Sequence, residues 1–112
     1  DEEINSIIVN IFNNLSGTKG NYFINLSSKK EKKILSKDSK GDPLIFELVI
    51  DVKYIVEKNG TTIIENNLAR KTTYNNIVDK FELESYEKTI IDNLSSNIAD
   101  RIIFAISEMN EW

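Results

Sequence analysis

Lysine side chains are concentrated in one short part of this chain, residues 29–40, where only Glu31 and Asp38 are acidic. The C-terminal third carries an excess of acidic side chains by contrast. Such a charge asymmetry is typical of a surface that binds an anionic ligand, for example a phosphorylated lipid. The alternative is an exposed edge strand, whose lysines prevent pairing with another sheet. Both interpretations depend on the same side chains, namely Lys29, Lys30, Lys32, Lys33, Lys37 and Lys40.

The side chains most often used in catalysis are absent from this sequence, which contains neither cysteine nor histidine. Zinc sites built from thiolate and imidazole, cysteine nucleophiles and Ser-His-Asp triads are therefore excluded. Pairs of carboxylates, such as Glu47 with Asp51 or Glu82 with Glu84, remain as acid–base candidates. Both pairs fall on predicted solvent faces, where no pocket would shift their pKa values. We therefore expect no enzyme.

The size and composition of the chain predict a single domain, residues 1–112. A hydrophobic fraction of 40% and a charged fraction of 29% are ordinary for a soluble globular protein. A net charge of −4 argues against nucleic acid as a partner, because such binding requires a basic surface. No apolar run reaches the length of a membrane span, and the acidic start, residues 1–3, does not have the form of a signal peptide.

A hairpin over Leu44–Tyr74 is the strongest structural signal in the sequence. Its first half alternates apolar and polar residues with a period of two, which predicts a long strand with one buried face. Asn59-Gly60 then predicts a tight turn, and a second strand follows from Thr61. The residues predicted to share the buried face of the first strand are Leu44, Phe46, Leu48, Ile50, Val52, Tyr54 and Val56.

The segments around the hairpin predict two helices and one further strand. Residues 4–15 carry an apolar stripe at helical spacing, and residues 21–36 read as one long, bulged strand or two short strands. From about Glu82 a second stripe predicts a helix roughly 40 Å long, whose end would project beyond a small sheet. Together the segments predict an α+β fold, with an antiparallel sheet of three to four strands and both helices packed on one face.

One pattern connects the end of the hairpin to the C-terminal helix. It consists of Ala69-Arg70-Lys71-Thr72-Thr73-Tyr74-Asn75, an aromatic residue at Phe81, the pair Tyr86-Glu87, and then Leu94, Ile98 and Arg101. In this pattern, and in the order of its elements, the chain resembles the LptE-type lipopolysaccharide-assembly lipoproteins of Gram-negative outer membranes.

The resemblance implies a non-enzymatic protein without a cofactor. Proteins of this family fill the lumen of the LptD β-barrel, assist its assembly, and bind lipopolysaccharide through basic residues. The resemblance also implies an outer-membrane location on the periplasmic side, with a lipid anchor on a cysteine ahead of Asp1. The candidate residues for contact with lipopolysaccharide phosphates are Lys29, Lys30, Lys32, Lys33, Lys37 and Arg70.

Two other functions remain open on the sequence. The same layered fold would serve another periplasmic lipoprotein module, such as an auxiliary domain of a transporter or a secretion pilot. A small enzyme that uses serine, lysine or carboxylate chemistry is the second alternative, and a compact pocket lined by a perturbed side chain would favour it.

Overall fold

The computed structural model of this protein describes residues 1–16 and 22–108. Residue 21, the first of the predicted strand 21–36, lies outside these ranges, and so does Met109, the last apolar residue of the helical stripe that begins at about Glu82. The order of elements is helix, three strands, helix, as the sequence predicts. Their bounds are α1 Glu2–Ser16, β1 Tyr22–Lys37, β2 Pro43–Lys58, β3 Thr61–Asn75 and α2 Lys80–Glu108.

The three strands form one antiparallel sheet in the order β1-β2-β3, so β2 is the central strand. Tyr22 stands opposite Lys58 at one end of the β1–β2 pair, and the register is regular as far as Ile34. The register then shifts around Leu35, which is the bulge that the sequence allowed for. The sheet is therefore a long ribbon of strands that are each 15 or 16 residues long.

Both helices pack against one face of the sheet, which confirms the predicted α+β fold. Even-numbered residues of β2 form the buried face, from Phe46 to Val56, and they share one core with both helices. Odd-numbered residues of β2 point to the opposite face, which no helix covers and which we call the open face. The helix residues buried in this core are Ile4, Ile8, Phe12, Ile90, Ile91, Ile98, Ala99, Ile102 and Ile106.

Two details of burial differ from the sequence predictions. Leu44 was expected on the buried face of β2, yet 46% of its surface is exposed, and the burial of that face begins at Phe46. In α2 the buried face also includes Ser95 and Ala99, which no apolar stripe predicted. Since α1 packs against α2 as well as against the sheet, the buried face of α2 is wider than one stripe.

Side-chain caps and a tight turn fix the ends of the elements. An Asp1 carboxylate oxygen accepts a hydrogen bond from the backbone N–H of Ile4, and Asp79 caps α2 in the same way. Asn59 and Gly60 have positive φ angles of 52° and 80°. Such values at both central residues belong to the primed hairpin turn that the Asn-Gly pair predicts.

The folded chain is elongated, with extents of 57 × 22 × 21 Å. The helix α2 runs along this long axis, and Ile106, near its C-terminal end, is fully buried. The length of the helical stripe predicted that the end of α2 would project beyond the sheet. As far as residue 108, α2 does not do so. None of the helices in the described ranges is long and apolar enough to cross a membrane.

Candidate functional site

The lysine-rich segment forms the second half of β1, and strand geometry divides its side chains between two faces. Successive side chains of a strand point to opposite sides of a sheet. Lys30 and Lys32 stand opposite the buried Ile50 and Leu48 and therefore lie on the helix-covered face. Lys29 and Lys33 stand opposite Asp51 and Glu47 on the open face. The structure therefore does not assemble these lysines into one cationic patch.

Lys32 belongs to a compact polar and aromatic cluster formed by all three strands and α2. Its ammonium nitrogen lies 2.8 Å from a carboxylate oxygen of Glu87 and 4.1 Å from the centre of the Phe46 ring. The Tyr74 hydroxyl donates a hydrogen bond to the same Glu87 oxygen, and the Tyr74 ring packs against Phe46 and Tyr86. Lys32 is thus already paired with a protein carboxylate.

The environment of Tyr74 raises the pKa of its hydroxyl well above the ordinary value. Burial is the main cause, because it disfavours the phenolate. The hydrogen bond to Glu87 and the negative charge of Glu87 act in the same direction. The phenol therefore stays protonated and serves as a hydrogen-bond donor, which is a structural role.

Lys30 lines a groove between β1, α2 and the start of α1. Its ammonium nitrogen lies 3.8 Å from an Asp1 carboxylate oxygen. The groove has a volume of about 400 Å³, and carboxylates outnumber ammonium groups along it, so it is poorly suited to an anionic ligand. Its lining residues are Glu3, Lys30, Glu84, Glu87, Lys88 and Ile91.

The open face carries a second, polar groove across the middle of the sheet. Its volume is about 290 Å³, and it is lined by Ser27, Lys29, Asp51, Val52, Lys53 and Asn67. Two ammonium groups and one carboxylate face this groove together with hydroxyl and amide groups. The groove is therefore able to form hydrogen bonds and ionic contacts with a polar ligand.

The remaining predicted residues, Lys37 and Arg70, lie apart from these two grooves. Lys37 is exposed at the end of β1. Arg70 lies on β3, with β2 between it and the lysines. Its guanidinium donates hydrogen bonds to the Asn97 side chain (2.7 Å) and to the Ala69 carbonyl oxygen (2.8 Å). Arg70 therefore connects β3 to α2.

A cluster of exposed apolar side chains at one end of the sheet was not predicted. Val78, in the segment between β3 and α2, is 99% exposed, and Phe81, in the first turn of α2, is 81% exposed. The backbone N–H of Asn76 donates to the Leu44 carbonyl oxygen over 2.8 Å, which holds this segment against the start of β2. We call this surface the apolar end; its residues are Ile34, Leu35, Leu44, Val78 and Phe81.

The only sequence signal for the apolar end was ambiguous. Residues 76–81 combine apolar side chains with neither strand nor helix periodicity, so their exposure depends on how the ends of three strands meet.

Within residues 1–16 and 22–108, no group of acidic side chains is arranged to hold a metal ion.

Comparison with known proteins identifies the fold. No protein-family model matches this sequence, and no curated protein matches it. Among solved structures, the chain is similar to rare lipoprotein B from Shewanella oneidensis, with a TM-score of 0.73 and 16% identity over 96% of this chain and 87% of that one. It is also similar to a minor lipoprotein from Acinetobacter baumannii, with a TM-score of 0.60 and 17% identity over 90% and 83% of the two chains. The chain therefore has a fold that is also found in bacterial lipoproteins.

Proposed function

We propose that this protein is a non-enzymatic lipoprotein of the LptE type, which fills an LptD-like outer-membrane β-barrel and binds lipopolysaccharide. The observation that carries the proposal is the fold itself, because the likeness to rare lipoprotein B extends over 96% of the chain. This agrees with the resemblance to LptE-type proteins in residues 69–101. A lipid anchor ahead of Asp1 and a periplasmic position at the outer membrane belong to the same proposal.

The shape of the molecule supports a role as a barrel plug. A body 57 Å long and only 22 × 21 Å across has the proportions of a rod that enters a cylindrical lumen end first. The core is continuous along the rod, from Phe12 and Val56 to Phe46 and Tyr74. Such a body docks without a conformational change, so little free energy is lost in ordering it.

The apolar end supplies a docking surface for the barrel partner. A large exposed apolar patch on a protein domain often marks a site of interaction with another molecule. Val78 and Phe81 are the two most exposed residues of this surface, and neither belongs to the core. Binding that removes them from water is favourable by about 25 cal/mol per Å² of apolar surface buried.

The lysines of the open face supply the proposed contacts with lipopolysaccharide. Lys29 and Lys33 point to this face beside Lys53, and an ammonium group binds a phosphate oxygen as a compact point charge. Lys37 adds a further exposed cation at the end of β1. Lys30, Lys32 and Arg70 contribute less to this binding, because each already contacts another group of the protein.

Co-expression with the LptD-type barrel of the same genome tests the proposal. We expect the two proteins to purify together in detergent, and Val78→Asp with Phe81→Asp to reduce the recovery of the barrel severalfold. Phe23→Asp with Phe104→Asp is the matched control, since both side chains are exposed (64% and 51%) but lie outside the apolar end.

Four results of this experiment have different meanings. Loss of the barrel with the first pair alone supports docking through the apolar end. An unchanged recovery with both pairs contradicts that surface, and no recovery of the barrel with the unmodified chain contradicts the proposed function. Recovery of an inner-membrane transporter in place of the barrel would favour an auxiliary transporter domain.

A further inference from the structure

The sheet has two outer edges, and they differ in how well they are protected. On β1, several lysines and the start of α1 block the edge, where the Asp1 nitrogen donates to the Ser28 carbonyl oxygen over 2.7 Å. Lysine is one of the side chains that natural proteins place on edges to prevent pairing. On β3, residues 61–75, the only charged side chains are Glu65, Arg70 and Lys71. The edge of β3 is therefore the less protected one.

The hydrogen-bond pattern shows which residues of β3 face away from β2. Asn76 continues the register opposite Leu44, and its backbone N–H donates to the Leu44 carbonyl oxygen over 2.8 Å. In an antiparallel pair, residues alternate between those that exchange hydrogen bonds with the neighbouring strand and those that do not. Between Ile64 and Asn76, past the register shift beside Ile64, even-numbered residues therefore bond to β2, and odd-numbered residues direct their N–H and C=O groups outwards.

Two of these outward groups are paired only with side chains of β3 itself. The Asn67 N–H donates to the Asn66 side-chain oxygen over 2.8 Å. The Ala69 carbonyl oxygen accepts a hydrogen bond from Arg70 over 2.8 Å. Both contacts are exposed to solvent and are replaceable by backbone partners.

We propose that β3 pairs with β3 of a second copy of this chain, antiparallel and centred on Leu68. In this register Asn67 stands opposite Ala69 of the other copy, so the outward groups of one strand meet those of the other. The regular part of the pairing runs from Ile64 to Thr72 of each copy, because the register of β3 shifts between Thr62 and Ile64. The product is a continuous six-stranded sheet with the helices of both copies on one face.

Charge complementarity selects this register. Glu65 and Lys71 both point to the open face, where each faces an apolar residue of β2, Ile55 and Val49 respectively. Centring on Leu68 brings Glu65 of each copy opposite Lys71 of the other, and any other register separates them. A register centred on Arg70 would instead place two guanidinium groups opposite each other. Opposite charges across a strand pair stabilise it, and like charges destabilise it.

Charge exchange at this pair tests the proposal. We expect sedimentation equilibrium to show a dimer that dissociates on dilution. Glu65→Lys or Lys71→Glu alone places like charges together twice in the dimer and should weaken it about tenfold. The double variant, and an equimolar mixture of the two single variants, should both restore dimerisation.

Cysteine cross-linking tests the register, because the chain contains no cysteine of its own. Leu68→Cys places two thiols directly opposite each other and should give a disulfide-linked dimer on mild oxidation. Thr72→Cys is the matched control on the same face of β3. In the proposed register its two copies lie eight residues apart, roughly 26 Å along the strand, and should not cross-link.

Each of the other outcomes overturns the proposal. A chain that remains monomeric at high micromolar concentration has no pairing edge. If the single charge variants dimerise as strongly as the unmodified chain, the dimer uses another surface. The same holds if the Thr72→Cys variant cross-links as readily as the Leu68→Cys variant. Circular dichroism and thermal melting of each variant confirm that the monomer is intact. Because the experiment contains no barrel protein, its result is independent of the proposed function.

Discussion

At the scale of single residues, the core contains one polar side chain that gains nothing from its position. Ser95 is fully buried in α2, and its hydroxyl has no hydrogen-bond partner among the described residues. A buried hydroxyl without a partner loses its hydrogen bonds to water and receives none in return. The position therefore costs stability.

Replacing Ser95 with alanine should stabilise the protein. Ser95→Ala removes the unpaired hydroxyl and introduces a better helix former, so we expect the free energy of unfolding to rise by about 1 kcal/mol. Urea unfolding measures the change. Ser107→Ala is the control, because that exposed hydroxyl bonds to the Ile103 carbonyl oxygen, and it should change stability by less than about 0.5 kcal/mol. A loss of stability in Ser95→Ala would contradict the assignment.

Tyr74 should make the stability depend on alkaline pH. Its pKa is raised in the folded chain by burial and then by Glu87, so its contribution is complete below the unfolded value of about 10. Above that pH the unfolded chain loses the proton more readily, and the free energy of unfolding falls.

Unfolding titrations at increasing pH should therefore show a smaller alkaline loss of stability in Tyr74→Phe than in the unmodified chain. Tyr86→Phe is the control, because it removes a hydroxyl from a ring that is 47% exposed in the same cluster, and it should retain the loss. An equal decline in Tyr74→Phe and in the unmodified chain would rule out this role of Tyr74.

At the scale of elements, the ends of α2 and the faces of β1 have different physical origins. Asp79 begins α2 by accepting hydrogen bonds from the backbone N–H groups of Phe81 and Glu82, over 2.8 and 3.1 Å. The faces of β1 follow instead from alternation along the strand, which directs Lys30 and Lys32 towards carboxylates and Lys29 and Lys33 to the open face. A run of lysines in one strand is therefore two separate groups.

Removing the cap of α2 should destabilise the protein without changing its fold. Asp79→Ala leaves two backbone N–H groups of the first turn without their acceptor, which costs about 1 kcal/mol. Asp92→Ala, an exposed position within the same helix, should have little effect. Thermal melting compares the two variants, and equal melting temperatures would show that the cap contributes nothing.

At the scale of the whole molecule, the charges of the two sheet faces predict different effects of charge reversal. Lys29→Glu with Lys33→Glu should weaken binding to lipopolysaccharide and leave the melting temperature nearly unchanged. Lys30→Glu with Lys32→Glu should instead lower the melting temperature, because the change places like charges beside Asp1 and Glu87.

A binding titration with purified lipopolysaccharide, paired with thermal melting, separates these effects. Lys80→Glu with Lys88→Glu is the control with the same change of charge, because both lysines are exposed on α2, away from Lys29 and Lys33. If the control weakens binding as much as the open-face pair does, the contacts are not specific to β1. If the open-face pair binds as well as the unmodified chain, these lysines do not form the site.

The sequence by itself determined the elements and their buried faces, because the periods of strands and helices are local properties of the chain. The alternation from Phe46 to Val56, the Asn59-Gly60 turn and the two helical stripes all predict what the structure contains. The α+β fold follows from them, since both helices must cover the apolar face of one long hairpin.

Only the tertiary structure decided which side chains share a surface. The separation of Lys29 from Lys30, the contact of Lys32 with Glu87 and the exposure of Leu44 depend on which strand and helix lie alongside. The apolar end and the burial of Ser95 arise where segments distant in sequence meet. No local pattern encodes such meetings, because they depend on how strands and helices from distant parts of the chain pack together.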